Sequence, residues 1–294
     1  MSSPDPPLPT CLDIAYSVES LVQNVAVCIP HPLEDGDYQS RIWIIYIHGG
    51  AWRDPEILAD SFNPTLLQLM HHPIKSRVAG FASINYRLSP FPSHPRNPSM
   101  PENPARNARH PDHIEDVLTA VCALQQRYGF GERYLLVGHS CGATLAFQAA
   151  MNKWEGDNGA EVILPCGIVG VEGIYDLPTF RDTHRDMPVY EEIIQNAFGK
   201  DERLWHEVSP VSCNYATSWP NAQLTLLAQS KDDELVDEVQ RTRMTAALEA
   251  ASSNPSTGAK RKDILLTLRG KHDEIWEEGT ELVRVILEAM DHIV

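Results

Sequence analysis

Unbroken apolar runs alternate along this chain with segments whose apolar residues recur at helical spacing. The runs cover residues 41–47, 78–86, 134–137, 165–171, 224–228 and 264–268. Each is of strand length, and a strand without polar alternation is typical of a sheet covered on both faces. Helical spacing covers residues 55–71, 112–128, 144–151, 190–198 and 237–251. The alternation predicts an α/β fold with a mostly parallel central sheet and helices on both faces.

The length of the chain predicts a single domain over residues 1–294, because no low-complexity linker divides it. Residues 1–19 begin with a proline-rich stretch and are expected to form a flexible arm, followed by an edge strand or hairpin arm over residues 20–29. Residues 88–111 contain seven prolines and predict a long irregular loop that overhangs the functional site. Residues 176–210 exceed a simple connection and could form a small cap.

A tight glycine-flanked turn lies between the apolar run at residues 134–137 and the helical segment at 144–151. Its sequence from Gly138 to Gly142 fits G-x-S-x-G, in which a serine occupies a strained strand-to-helix turn with its hydroxyl exposed. A Cβ at either glycine would clash with neighbouring backbone in such a turn. Ser140 is therefore the candidate nucleophile, and an ordinary surface turn is the alternative.

The apolar run at residues 41–47 ends in the sequence HGGAW at residues 48–52. An acyl-transfer nucleophile needs backbone N–H groups aimed at the developing oxyanion, and a glycine loop after a central strand can provide them. The alternative is a turn that only ends the strand. The candidate oxyanion donors are Gly49, Gly50, Ala51 and, directly after the nucleophile, Cys141.

Two later strands are followed by residues that could complete a catalytic triad. Asp233 comes just after residues 224–228, where this topology places the acid that orients a histidine, and Asp232 is the second choice. Of the twelve histidines, only His272 lies just beyond a strand and after the candidate acid, which makes it the candidate base. A solvated loop position is the alternative for each of these residues.

The acidic composition narrows the class of partner. Lys and Arg number 24 against 40 Asp and Glu, a formal net charge of −16. Nonspecific attraction to nucleic acid or to an anionic membrane is therefore disfavoured, and a small-molecule substrate is expected. The sequence shows neither a signal-peptide pattern nor an apolar run of membrane-spanning length, which predicts a cytoplasmic protein.

Cysteines and histidines give little sign of a metal site. The six cysteines lack C-x-x-C pairs, which favours reduced thiols over disulfides or a zinc site. The sequence HPDH at residues 110–113 lacks further ligands at plausible spacing, so we expect no metal and no cofactor. Five cations or histidines of the proline-rich loop could bind a substrate carboxylate, although a solvated loop face is the simpler explanation. They are His94, Arg96, Arg106, Arg109 and His110.

These residues together resemble the α/β-hydrolase superfamily, and within it the His-Gly-Gly branch that includes hormone-sensitive-lipase-like esterases and eukaryotic kynurenine formamidases. The Ala-Trp after the two glycines is similar to the formamidase form, where many esterases carry a third glycine. The likeness extends from about residue 41 to 276 and is greatest to fungal members. It is carried by residues 48–52, 85–90, 110–111 with Asp116, 138–142, 172–177, 233–236 and 270–272.

The resemblance implies an α/β-hydrolase fold and hydrolysis of N-formyl-L-kynurenine in tryptophan catabolism without a metal ion. Ser140 would attack the formyl carbon, His272 would transfer the proton and Asp233 would orient the imidazole. Trp52 and Tyr175 are candidates for contacting the aromatic half of the substrate. The alternative, equally favoured, is that both side chains pack in the core. A broad-specificity carboxylesterase and a non-catalytic binding protein on the same scaffold are the rival hypotheses. The sequence leaves a homodimer open.

Overall fold

Eight strands form one sheet through the middle of the molecule in the computed structural model, which describes residues 10–17, 22–32, 40–156, 161–252 and 261–293. Their order across the sheet is β1-β2-β4-β3-β5-β6-β7-β8. The pairs β1/β2 and β2/β4 are antiparallel, and all other neighbours are parallel. The strands are β1 (Thr10–Ala15), β2 (Asn24–Ile29), β3 (Ile42–Ile47), β4 (Val78–Ile84), β5 (Tyr134–His139), β6 (Gly167–Val171), β7 (Leu224–Ser230) and β8 (Lys262–Leu268).

Helices pack on the sheet and connect its strands. Short 3-10 helices lie at Ala59–Phe62, Pro73–Arg77, Pro104–Arg106 and Pro210–Ser212. The α-helices are α1 (Asn63–His71), α2 (Asp112–Tyr128), α3 (Cys141–Met151), α4 (Leu177–Thr183), α5 (Pro188–Phe198), α6 (Glu202–Val208), α7 (Tyr215–Ser218), α8 (Glu238–Ser252), α9 (Glu274–Glu278) and α10 (Thr280–Met290). Among the described helices, none combines the length and the apolar character needed to cross a bilayer.

The predicted fold class is confirmed. Every residue of β3, β4, β5, β6 and β7 is buried, as unbroken apolar runs require when helices cover both faces of a sheet. Two separate clusters of buried apolar side chains form the core. Alternate strand residues contribute to different clusters: Trp43, Ile45 and Ile47 to one, and Ile44 and Tyr46 to the other.

The N-terminal region differs from the prediction. A flexible arm over residues 1–19 is wrong for Thr10–Ala15, which forms the edge strand β1. Of the two alternatives predicted for residues 20–29, the hairpin arm is correct and the edge strand is wrong: β2 begins at Asn24, pairs antiparallel with β1 along its whole length and lies second in the sheet. Residues 1–9 of the predicted arm lie outside the described residues.

The prediction that all cysteines are reduced is also wrong. Cys11 and Cys28 lie opposite each other in the register of β1 and β2 and form a disulfide. A sequence rule that looks for closely spaced cysteine pairs misses this bond, because it joins residues 17 apart in sequence that only strand pairing brings together. Cys122, Cys141, Cys166 and Cys213 are free thiols.

Candidate active site

Ser140 occupies the strained turn between β5 and α3 that the sequence predicts. Its backbone has φ +55° and ψ −124°, a conformation that costs free energy and is typical of functional turns. A Cβ on Gly138 would lie 2.2 Å from the Gly142 oxygen, and one on Gly142 would lie 2.2 Å from the Ile47 oxygen. The steric role predicted for both glycines is therefore confirmed.

The loop after β3 is held against this turn by buried groups. Gly50, Ala51 and Trp52 all have positive φ (86°, 51° and 60°), so the chain reverses sharply beside α3. The hydroxyl of Tyr86 donates to the carbonyl oxygens of His48 (3.1 Å) and Gly49 (3.2 Å). These contacts fix the backbone of the predicted oxyanion loop before any substrate binds.

Cys141 joins the loop to the nucleophile turn through its sulfur. The Trp52 N–H donates to Cys141 Sγ at 3.1 Å, and the Tyr86 hydroxyl lies 3.6 Å from the same atom. Burial raises the pKa of the Cys141 thiol to about 11, against the lowering effect of these hydrogen bonds and one from the Ala51 backbone. The thiol therefore stays protonated at neutral pH and packs between the two loops.

Asp233 and His272 meet at the carboxyl-end edge of the sheet, beyond β7 and β8. The Nδ1 atom of His272 lies 3.0 Å from both carboxylate oxygens of Asp233. Backbone N–H groups of Leu235 and Val236 donate to Asp233 Oδ1, each at 2.9 Å, and hold the carboxylate in place. Asp232 makes no such contact: its side chain is exposed, and its backbone N–H donates to the Ser230 hydroxyl. The geometry selects the first of the two acids.

A further acid, Glu172, lies behind the histidine. Its Oε2 is 3.4 Å from His272 Nδ1 and 3.4 Å from Nε2 of the buried His139, and its Oε1 accepts the Ser230 N–H at 3.3 Å. Burial, and to a smaller extent the nearby charge of Asp233, raises the pKa of Glu172 to about 10. Glu172 is thus neutral at pH 7, whereas burial and the charge of His272 lower the pKa of His139.

Sequence reasoning gives Glu172 no role of its own, although one signal is available. The residue directly follows the buried run of β6, and parallel strands bring their carboxyl ends to one edge. An acid in that position lies close to the residues that follow β7 and β8, which include Asp233 and His272. Its backbone has φ +50°, and its N–H donates to the Ala228 oxygen at 2.8 Å.

One cavity of about 430 Å³ brings the nucleophile and the histidine together. It is bordered by Ser140 and His272, and by Gly50 and Ala51 of the predicted oxyanion loop. The rest of its lining is mostly apolar and comes from the regions between β3 and β4 and between β6 and β7, from the proline-rich loop and from the segments that follow Asp233 and His272. These residues are Ile57, Phe91, Ile174, Phe180, Met187, Val189, Tyr190, Ile193, Leu235 and Val236, with the charged Arg53, Asp54 and Asp273.

The predicted substrate walls Trp52 and Tyr175 do not border this cavity. Both side chains are fully buried, and Trp52 packs edge-on against Phe198 at 5.1 Å between ring centroids, while Tyr175 packs against Phe147 at 5.6 Å. The core alternative is therefore correct for both. An aromatic residue next to a glycine loop can turn away from the site when three left-handed residues reverse the chain.

Residues 176–210, the segment predicted as a possible cap, contribute to the lining of the cavity. Helices α4 and α5 contribute Phe180, Val189, Tyr190 and Ile193 to its lining. The Tyr190 hydroxyl donates to the Leu235 oxygen at 3.1 Å, which ties α5 to the segment that carries Asp233. From the proline-rich loop, Phe91 alone reaches the lining among the described residues.

Two of the three arginines of the proline-rich loop have side-chain partners, whereas the Arg109 side chain is exposed. Arg96 pairs with Glu56, Arg106 is buried and donates to the Asn97 oxygen at 3.1 Å, and the backbone N–H of Arg109 donates to Asp112. The hypothesis that these cations meet a substrate carboxylate is not supported, because none of them borders the cavity in the described structure.

Two groups of side chains in the described structure could offer three ligand atoms to a metal ion. In the first, His139, Glu172 and His272, the carboxyl is neutral and the His272 Nδ1 is engaged by Asp233. The second is Asp54, Glu56 and His94. His94 Nδ1 accepts the N–H groups of Arg96 and Asn97, so its other nitrogen carries the proton and donates toward Asp54. Neither group presents a free set of ligand lone pairs.

The sheet order, the elbow at Ser140 and the histidine after the last strand define an α/β hydrolase. Solved structures share this fold at low sequence identity. Esterase B from Lactobacillus Rhamnosis superposes with a TM-score of 0.69 at 14% identity, covering 97% of this chain and 84% of that one. A hormone-sensitive lipase from a metagenome library gives 0.62 at 18% identity, with the same shares covered.

Sequence comparisons show to which family of α/β hydrolases the chain belongs. A family model described as BD-FAE matches residues 33–248. The kynurenine formamidase-like hydrolase fscH of Fusarium equiseti is 38% identical over 290 residues, which cover 97% of this chain and 95% of the relative. The kynurenine formamidase avaC of Aspergillus versicolor is 39% identical over 260 residues, 82% and 86% of the two chains. The chain belongs to the kynurenine formamidase family of α/β hydrolases.

Proposed function

We propose that the protein hydrolyses N-formyl-L-kynurenine to L-kynurenine and formate, with Ser140 as nucleophile, His272 as proton carrier and Asp233 as the orienting acid. The observation that carries the proposal is the contact of His272 Nδ1 with both Asp233 oxygens at 3.0 Å, beside a cavity that Ser140 also borders. Relatives at 34–39% identity bear the name kynurenine formamidase.

The first half-reaction forms an acyl-enzyme. His272 takes the Ser140 proton as the oxygen attacks the formyl carbon, and Asp233 stabilises the imidazolium. The oxyanion would accept N–H groups of Gly50 and Cys141, each contributing on the order of 3 kcal/mol to the transition state, because the Ala51 N–H is engaged by the Cys141 thiol. The C–N bond then breaks, and His272 gives its proton to the departing aryl amine.

The second half-reaction releases formate. A water molecule gives its proton to His272 and attacks the formyl-serine, and the proton returns to the Ser140 oxygen as formate leaves. Because Glu172 is neutral, it adds no second negative charge beside Asp233. Of the two acids whose oxygens lie within 3.4 Å of His272 Nδ1, Asp233 then acts as the anion.

The direct test is to incubate purified protein with N-formyl-L-kynurenine and follow the appearance of the aryl amine of kynurenine. We expect turnover that a chelator leaves unchanged. Short p-nitrophenyl esters serve as comparison substrates. Esters turned over far faster than the formamide would favour the carboxylesterase hypothesis, and activity lost to the chelator would contradict the metal-free mechanism.

A cytoplasmic location stays a proposal that sequence patterns motivate. Free thiols at Cys122, Cys141, Cys166 and Cys213 suit a reducing compartment, whereas the disulfide between Cys11 and Cys28 is typical of an oxidising one. Fractionation of cells that express the full chain would decide between a reducing and an oxidising compartment.

A further inference from the structure

Arg53 is the one lysine or arginine among the described residues that border the cavity. Its side chain is nearly buried, and the guanidinium carbon lies 3.9 Å from the centroid of the Phe91 ring. Packing on an aromatic face holds the planar group in a fixed orientation. The cations that the sequence offers as candidates for binding a substrate carboxylate lie elsewhere, in the proline-rich loop.

The guanidinium of Arg53 has unused donors. An arginine carries five N–H groups, and in the described structure the Arg53 guanidinium makes one hydrogen bond, from Nη1 to Glu192 Oε1 at 2.8 Å. The remaining N–H groups belong to a side chain that borders the cavity. A carboxylate is the ligand that matches such a planar set of donors, because two parallel hydrogen bonds can form.

Glu192 is the acid that pairs with Arg53, and it lies next to the cavity without bordering it. Its side chain is 50% exposed, and in the described structure Arg53 is its sole side-chain partner. The two acids that do border the cavity have other partners and do not pair with Arg53 in the described structure: Asp54 accepts the Glu56 N–H at 2.9 Å and faces His94, and Asp273 accepts the Trp276 indole N–H at 3.0 Å. Glu192 keeps one oxygen, Oε2, for a cationic donor.

We propose that Arg53 and Glu192 form a receptor for the free α-amino acid end of the substrate. The substrate carboxylate accepts hydrogen bonds from Arg53, and its ammonium group donates to Glu192. The apolar residues of the cavity then contact the aromatic half. This inference rests on the proposed function and specifies the substrate class as formylated arylamines that carry an unmodified amino acid, as opposed to simple formanilides.

The test compares N-formyl-L-kynurenine with N-formylkynuramine, which lacks only the carboxylate, and with 2-formamidoacetophenone, which lacks the whole amino acid end. For wild type, kcat/KM should be highest for N-formyl-L-kynurenine. In Arg53→Met the ratio of kcat/KM for N-formyl-L-kynurenine to that for N-formylkynuramine should fall at least about tenfold, mainly through KM. Glu192→Gln should lower the preference for both amine-bearing substrates over 2-formamidoacetophenone.

The matched control is Arg181→Met. Arg181 also pairs with a glutamate, Glu202, and lies over an aromatic ring, Trp205, but it does not border the cavity. The control should leave all three ratios as in wild type. A partly unfolded variant lowers all rates together and leaves the ratios intact, so an unchanged ratio in Arg53→Met overturns the inference. Wild type that cleaves none of the three formamides refutes the proposed function instead.

Discussion

The sheet side of the cavity and its cap side are built from different kinds of position. On the sheet side, Ser140, Asp233 and His272 each follow directly on a strand or come within four residues of its end, and backbone contacts hold them. On the cap side, the lining consists of side chains from α4, α5 and neighbouring segments. Two of these, Met187 and Val189, are among the large exposed apolar residues of the molecule.

The difference indicates a division of labour. Reacting groups need positions fixed within a fraction of an ångström, which buried strand ends provide. Substrate selection needs side chains that can vary without disturbing the sheet, and helices outside the sheet provide those. Changes on the sheet side should therefore reduce kcat, and changes on the cap side should act mainly on KM.

The largest effect is expected for Ser140→Ala. Without the hydroxyl no acyl-enzyme can form, and kcat for formamides should fall by at least about 10⁴-fold. The smaller side chain fits the turn, so the thermal unfolding midpoint should stay near that of wild type. Turnover that survives in a folded variant would show that the serine mechanism is wrong.

Asp233→Asn should rank next. The amide cannot stabilise the imidazolium, and it favours the wrong tautomer of His272, so kcat should fall by about 10³- to 10⁴-fold. Asp232→Asn is the matched control, because the neighbouring acid is exposed and does not contact the imidazole. Steady-state kinetics of the two variants should differ by at least about a hundredfold. Equal losses of kcat in both variants would mean that the net negative charge of the loop matters more than the contact between Asp233 and His272.

Val189→Asp tests whether the cap side of the cavity acts mainly on substrate binding. A charge in the apolar lining should raise KM by about tenfold and change kcat much less. Val239→Asp is the control, since Val239 is equally exposed, at 43%, but lies on α8 away from the cavity. A large fall in kcat with KM unchanged would contradict the division between the two sides.

The smallest effect on catalysis is expected for Glu172→Gln, whose main consequence concerns stability. The native pKa of Glu172 is about 10 and its ordinary value 4.5, so between these pH values the native state holds a proton that the unfolded chain releases. The free energy of unfolding contributed by this group is therefore greatest at low pH and is lost as pH rises. The amide that replaces the carboxyl cannot ionise, so the variant should gain stability relative to wild type with rising pH, by up to about 1.4 kcal/mol per pH unit.

Urea unfolding at several pH values between about 5 and 9 measures this gain. Both proteins keep every other ionisable group, so the difference between the two curves isolates Glu172. Curves that stay parallel across the range would mean that the carboxyl is ionised in the native state.

Much of the fold could be predicted because its strands are buried on both faces. The helix α2 has the predicted bounds, and the last three parallel strands lie where apolar runs place them. The strand β1 could not be read in this way, because TCLDIA is short and carries Asp13, and its stability comes from pairing with β2. The amphipathic α10 escapes the prediction although its apolar residues recur at helical spacing.

The candidate active site likewise has residues that could be predicted from the sequence and residues that could not. Topology brings strand ends together, so the positions of Ser140, Asp233 and His272 follow from chain order. The significance of Arg53 depends on α5 folding back to supply Glu192, and on Phe91 arriving from the proline-rich loop. Such long-range contacts leave no local pattern in a single sequence.

The central claim is tested most directly by labelling with a fluorophosphonate, which reacts with a serine only when a neighbouring base activates it. Intact-mass and peptide analysis of wild type should show one label per chain, on Ser140. Asp233→Asn should slow its attachment and Ser140→Ala should abolish it, while Asp232→Asn labels at the wild-type rate. A label on another residue, or none on a protein that still cleaves N-formyl-L-kynurenine, would contradict the account.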